Sequence, residues 1–489
     1  MEEMINWLVD QVWGTGLVVL ALGAGLFFTI MTRFVQIRYF KEMIKLLFEG
    51  KSSENGISSF QAFCLALSGR IGVGNIAGVA TAIAYGGPGA VFWMWIMALL
   101  GGASAFIEST LAQVYKTKVG DEYRGGTPYF IEKGLKLKWF AAIMAVVVTI
   151  SYGFLTPGVQ ANNIAAGLEN AFGLSKTVTG IFLVILLGAV IFGGVKRIAS
   201  VSQTVVPFMA LGYVAVTFIV LGMNYDKVPA MFSLIFTSAF GSNQIFGGIV
   251  GTAIAWGVRR AIFSNVAGCG EATYSSAAAE ITHPAKQGLV QAFSVYIDTI
   301  VVCTATALMI LATGMYNVTP EGKAPIVQPL ANVEPGPVYT QMAIETALPG
   351  FGPGFVSIAI FFFAFTTLMA YYYIAETTLV YLSGKRDLPW LKTILKVVML
   401  LMIFVGSVKS SSMMWALGDI GFGSMAWLSL LAIVLLTKPT LKVLKDYETQ
   451  KKAGKDPVFD PITAGISGAD FWEEKSREER SPGKKSSLG

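Results

Sequence analysis

The chain has 489 residues, 54% of them hydrophobic and 13% charged, with a mean hydropathy of +0.62. A soluble protein of this size carries nearer a quarter charged residues, so this composition belongs to an all-α polytopic membrane protein. The net charge of +6 is small and reports topology, not nucleic-acid binding, and one histidine with Cys64, Cys269 and Cys303 makes neither a zinc site nor a disulfide framework.

The N-terminus, MEEMINWLVDQVW, carries Glu2, Glu3 and Asp10 where a secretory signal would be positive, so the first apolar stretch is read as a retained span. Stretches of spanning length fall near 12–32, 60–84, 90–115, 139–158, 177–195, 201–221, 243–280, 287–312, 352–382, 390–410 and 412–437, which makes eleven spans. Basic residues follow the odd-numbered spans. Arg33, Arg38, Lys41, Lys45 and Lys51 follow the first, and Lys116, Lys118, Arg124, Lys133, Lys136 and Lys138 the third. Lys196 and Arg197 follow the fifth, Lys286 the seventh, and Lys385 and Arg386 the ninth. The opposite loops offer only Lys176, Lys227 and Lys323, with Lys409 at a span end. The positive-inside rule therefore puts the N-terminus outside and the C-terminus in the cytoplasm of a plasma or inner membrane.

On this reading 1–59 holds an outer segment, the leading span and an inner linker; 60–221 and 243–437 are two five-helix repeats joined by an external linker, 222–242. The external loop 314–351 is long and proline-rich, the length of a lid or docking surface, with plain linker as the other role. The cytoplasmic tail 438–489 mixes charged residues with Gly, Ser and Pro and is expected to be mostly disordered beyond Asp446.

The sequence SGRIGVGNIAG at 68–78 places Gly69, Gly72, Gly74 and Gly78 at the start of the second span. Glycine in a helix costs about 1 kcal/mol relative to alanine, and four in ten residues argue for a broken helix. For one isolated Gly-x-x-x-Gly, close helix packing would be the simpler reading. Here a second broken segment, FSNVAGCG at 263–270, opens the seventh span. Five spans separate the two, so the chain enters them from opposite sides, as expected for one leading helix plus a 5+5 inverted repeat. A broken helix offers unpaired N–H groups to a carboxylate and free carbonyls to an ammonium or a bare cation, which suits an amino-acid zwitterion. The expected substrate residues are Gly72, Val73, Gly74 and Asn75, faced by Phe263, Ser264, Asn265 and Gly268. An ordinary interhelical hydrogen bond is the competing role for Asn75.

Ionisable residues at membrane depth are functional candidates by default. Arg70 precedes the first break and Arg259 and Arg260 the second; Glu108, Glu271, Glu280, Asp298 and Glu376 are available partners. Coupling and a structural ion pair compete for Arg70, Glu108 and Asp298. Thr366 and Thr367 put adjacent hydroxyls in an apolar span, either as ligands for a hard cation or bonded back to the preceding turn.

The segment 68–95, together with RRAIFSNVAGCGEA at 259–272 and THPAKQGLVQAFSVYIDTIVVCTATA at 282–307, resembles the alanine or glycine:cation symporters of the amino acid–polyamine–organocation superfamily. The resemblance runs from about residue 14 to 440. It implies a leucine-transporter-type fold and sodium- or proton-driven uptake of alanine or glycine, with no cofactor. It further implies that Gly72–Val73–Gly74–Asn75 is the carboxylate site and that Ser68, Ile71, Phe363, Thr366 and Thr367 share a sodium ion. Two residues depart from the pattern. Many members have threonine where this chain has Val73, and glutamate where it has Val266, changes that bear on substrate choice and coupling ion. A proton-coupled or glutamine-type carrier is the nearest alternative, and a uniporter or channel would share the spans without strict coupling. An enzyme is not expected, since the lone His283 beside Pro284 has no catalytic partners in the sequence.

Overall fold

The computed structural model describes residues 2–480 apart from 51, 54, 193, 332, 385 and 387. Lys51 and Lys385, two of the charges used above to orient the chain, and the end of the tail, 481–489, lie outside the described residues.

Eight helices among the described residues are long and apolar enough to cross a membrane, and the bent second span makes nine. The shorter Lys176–Ile191 and the broken seventh span complete the eleven expected from the sequence. The first span is Glu2–Val12 followed by Thr15–Met31. The third is Gly89–Val114, the sixth Gly194–Met223, the ninth Gly352–Leu382, the tenth Pro389–Val408 and the eleventh Ser411–Leu435. The fourth runs as Lys138–Ile150, a wide turn at Ser151–Leu155, and Pro157–Phe172. It therefore continues well past residue 158, where the hydropathy ends. The cause is local: Gln160, Asn162 and Asn163 lower the hydropathy, yet all three are buried. Asn162 Nδ2 donates to the carbonyls of Gly406 (2.9 Å) and Lys409 (2.8 Å) at the end of the tenth span.

Loops and tail meet on one basic face. Arg38 pairs with Glu448, Lys286 with Asp456 and Lys133 with Asp470. A two-stranded antiparallel hairpin, Thr117–Val119 with Glu122–Arg124, lies there too. The tail corrects the expectation of disorder. Helix Thr437–Lys452 and helix Asp470–Arg480 are both formed, and Phe459 and Trp472 are buried between them and the helix bundle. Val443, Leu444, Tyr447, Ile466 and Ala469 are buried with them, and these apolar side chains dock an otherwise polar segment.

On the opposite face, 222–242 is not a simple linker. Helix Val228–Ala239 packs on the third span, where a Cβ at Gly89 would lie 2.7 Å from the Ala239 nitrogen. The long loop 314–351 carries helix Pro337–Ala347, and its Thr319 N–H donates to Ala84 O (2.8 Å) at the end of the second span.

Candidate functional site

The second span starts from a capping box. Ser58 Oγ accepts from Gln61 N–H, and Gln61 Oε1 accepts from Ser58 N–H. Helix Ser59–Arg70 ends as Ile71 leaves helical geometry. The chain then resumes through a wide turn, Gly74–Gly78, into Val79–Gly86, with a 52° bend between the two halves. Close approach explains two glycines. A Cβ at Gly72 would sit 2.6 Å from Thr367 Oγ1, and one at Gly74 would sit 3.0 Å from the Ser264 Cα. The two breaks therefore touch backbone to backbone.

The seventh span stops at Asn265 and restarts at Ala272. Between them Val266 has φ 45°, Gly268 φ 86° and Gly270 φ 87°. Glycine adopts the left-handed region freely, but a buried β-branched residue there is strained. Val266, one of the two departures noted in the sequence, is thus the strained hinge of this break. A side chain at Gly268 would be strained by its φ of 86°, and its Cβ would meet the end of the Leu430 side chain at 2.6 Å.

Both breaks are tied to the eighth span, which widens at Tyr296–Cys303 between Pro284–Val295 and Thr304–Thr313. Asn75 Nδ2 donates to Asp298 Oδ1 (2.7 Å) and Asp298 O (3.2 Å), while Asn75 Oδ1 accepts from Gly72 N–H (2.9 Å). Ser264 Oγ donates to the same carboxylate at 3.0 and 3.1 Å, and Thr299 Oγ1 at 2.7 Å. Asn265 Nδ2 reaches Thr299 Oγ1 (3.1 Å). The amides and hydroxyl expected at the substrate are turned here to Asp298 and its neighbour, which they hold between the two breaks. Asn75 makes the interhelical hydrogen bond that competed with the carboxylate role.

A second set of polar groups lies on the other side of the first break. Gln160 Oε1 accepts from Val73 N–H (3.2 Å), and Gln160 Nε2 donates to Tyr371 Oη (3.2 Å). Phe263 closes this region, its ring 4.8 Å from Trp415 and 4.7 Å from Phe422. At Gly418 a Cβ would lie 2.6 Å from Val159 Cγ2 and 3.3 Å from Phe263 Cε2, so the walls are close. Gln160 lies beyond residue 158, where the apolar stretch of the fourth span ends. The polar triplet in an amphipathic continuation was the available signal.

Five oxygen-bearing residues converge at the ninth span. Thr367 Oγ1 lies 2.9 Å from Ser68 O, 2.9 Å from Phe363 O and 3.4 Å from Ile71 O. Thr366 Oγ1 lies 2.9 Å from Phe363 O. All five residues are buried, and Ser68 contributes its carbonyl, its hydroxyl being bonded to Leu65 O (2.7 Å). Back-bonding and convergence on the break therefore coexist in Thr367. A neutral oxygen cluster of this kind suits a monovalent cation.

The sodium:alanine symporter family matches residues 1–461. The chain belongs to that family. It is therefore a multi-pass membrane transporter, not an enzyme. This symporter-family chain is 58% identical to YrbD of Bacillus subtilis (strain 168), over 98% of its own length and 99% of the relative's. It is 54% identical to a sodium/proton-dependent alanine carrier protein of Bacillus sp. (strain PS3), over 88% of this chain and 97% of that one. GlnT of Bacillus subtilis (strain 168), named a probable sodium/glutamine symporter, is 42% identical over 96% of both.

Two charged groups complete the symporter's interior. Arg259 and Arg260 both donate to Asp419 Oδ2, at 2.6 and 2.8 Å, beneath a cavity of about 530 Å³ on the face of the long loop. Glu321 and Glu334 of that loop line the same cavity. Deeper in, Arg70 donates to Gln291 O (3.2 Å) and to Ser294 Oγ. Among the described residues its Nε and Nη2 have no hydrogen-bond partner, and it forms no direct ion pair with Glu108 or Asp298. The ion-pair expectation is corrected to a looser cluster, because the ends of Arg70 are drawn to the eighth span.

Proposed function

We propose that this chain is a secondary active symporter that imports alanine or glycine by alternating access, driven by a sodium gradient. The observation that carries the reading is the juxtaposition of two broken helices with a neutral oxygen cluster at one of the breaks. The substrate lies between Gly72–Asn75 and Phe263–Gly268, its carboxylate at the N–H groups of the first break with Gln160 alongside. The cation is held by Ser68, Ile71, Phe363, Thr366 and Thr367. Asn75, Ser264 and Asn265 act by fixing the breaks to Asp298 and Thr299. The cavity above Arg260 is the approach from outside, and the basic face is cytoplasmic, with the N-terminus outside, in a plasma or inner membrane.

Substrate size follows from the walls. Phe263, Val159 and the bare Gly418 leave room for a small side chain, and each misfitting methylene costs about 1–3 kcal/mol. The name of GlnT makes glutamine the competitor to test. Proteoliposomes containing the purified chain should accumulate alanine against its gradient when sodium is higher outside, and not when sodium is equal across the membrane. Equal accumulation without any cation gradient would refute symport, and glutamine competing as well as alanine would refute the small pocket.

A further inference from the structure

We propose that Glu271 carries a proton together with the amino acid and releases it toward the basic face. The proposal rests on the symporter reading above. Four ionisable side chains cluster around the breaks: Arg70 on the second span, Glu108 on the third, Glu271 at the end of the second break and Asp298 on the eighth. None is more than 3% exposed, and the three carboxylates all act on Arg70. With a sodium ion in the oxygen cluster, two positive charges face three negative ones. An uncompensated charge in a dry interior costs several kcal/mol, and one proton restores the balance.

Hydrogen bonding decides which carboxylate takes it. Both oxygens of Asp298 already accept, from Asn75, Ser264 and Thr299. Glu108 Oε2 accepts from Gly270 N–H (3.1 Å), and Glu271 Oε2 from the Tyr152 hydroxyl (2.6 Å). Each keeps Oε1 without a hydrogen-bond partner among the described residues. Only Glu271 of the four borders a cavity of about 10 Å³, on the scale of a single water. That cavity is walled by Leu65, Ala66, Ser275, Ala370, Tyr373 and Ile374, from the basic-face halves of the second, seventh and ninth spans. Separation of those halves would open Glu271 Oε1 to cytoplasmic water.

Glu271 also touches the first broken helix and is linked to Gln160 through two tyrosines. A Cβ at Gly69 would lie 2.2 Å from Glu271 Oε1, so the carboxyl rests on the backbone beside Ser68 and Ile71. On its other oxygen, the Tyr152 ring lies tilted against Tyr371 at 4.8 Å, and the Tyr371 hydroxyl meets Gln160 and through it Val73 N–H. The groups facing Glu271 are Arg70, Asp298, Glu108, Tyr152, Tyr371, Tyr373 and Cys269. In the state open to the outside, Glu271 Oε1 takes a proton from external water. In the state open to the basic face the O–H bond breaks, the proton passes to water, and the carboxylate is left beside Arg70.

The test uses proteoliposomes with a pH-sensitive dye trapped inside, for wild type, Glu271→Gln and Glu271→Asp. Alanine added with external sodium should acidify the lumen of wild-type vesicles. Labelled-alanine uptake is measured in the same preparations. Glu271→Gln should bring acidification per alanine down to that of protein-free vesicles. If the amide variant does not transport, Glu271→Asp should still acidify, with its pH midpoint of uptake displaced from wild type. Wild-type uptake without acidification would overturn the proton proposal and leave the symporter reading standing. Wild-type acidification by Glu271→Gln, or an undisplaced midpoint in Glu271→Asp, would move the proton to another group. Absence of sodium-driven alanine uptake by the wild type would instead refute the symporter reading.

Discussion

Thr367→Val tests the cation site most directly, because valine keeps the volume of threonine and removes only the hydroxyl. In the structure that hydroxyl lies within 3.4 Å of three carbonyl oxygens, from Ser68, Ile71 and Phe363. Thr366 meets only Phe363 O, in its own helix. A hydrogen bond to a charged group contributes about 1.5–3 kcal/mol, and loss of a neutral ligand to sodium is of that order. The half-saturating sodium concentration should therefore rise roughly 10- to 150-fold, since 1.4 kcal/mol is a factor of ten. Thr366→Val should give a smaller rise. The assay is initial alanine uptake against external sodium at fixed pH, with alanine affinity measured at saturating sodium as the control. Normal uptake with an unchanged sodium dependence in both variants would refute the oxygen-cluster argument. A fall in alanine affinity at saturating sodium would show that the hydroxyl serves the substrate and not the cation.

Three further substitutions separate the parts of the site. Gly74→Ala puts a methyl 3.0 Å from the Ser264 backbone and should abolish uptake while the protein still elutes as a folded species in size-exclusion chromatography; wild-type uptake would disprove the contact between breaks. Gln160→Ala strips Val73 N–H and Tyr371 of a partner and should raise the half-saturating alanine concentration, at about 1–3 kcal/mol, by roughly 5- to 150-fold. An unchanged alanine dependence would remove Gln160 from the site. Trp472→Ala deletes an indole buried in the tail that donates to Gln113 O (2.8 Å) and should cost about 3–5 kcal/mol of docking. Trypsin should then cleave faster after Lys475 and Arg477, and wild-type protection would show that the tail is held without it.

The span order and the two helix breaks could be read from the sequence. Each rests on a local property: unbroken apolar length, glycine clustered where helix propensity fails, and basic residues after alternate spans. The pairing of Ser68 and Ile71 with Thr366 and Thr367 came from the family resemblance, and depth in the bilayer made it reasonable. What a side chain does with its polar atoms was decided by partners hundreds of residues away. Asn75 reads as a substrate ligand from its position at the break, but its amide meets Asp298 across 223 positions of sequence. Gln160 lies beyond the apparent end of a span, and its burial depends on neighbouring helices that cover a polar stretch. The tail looked unstructured because its composition is polar, and only the basic face of the bundle provides a surface for Phe459 and Trp472. Glu271 was one of several membrane carboxylates in the sequence. Its contact with Gly69 and the small cavity beside it exist only once three spans pack together, because hydropathy records the average environment of a segment and not the partner of an atom.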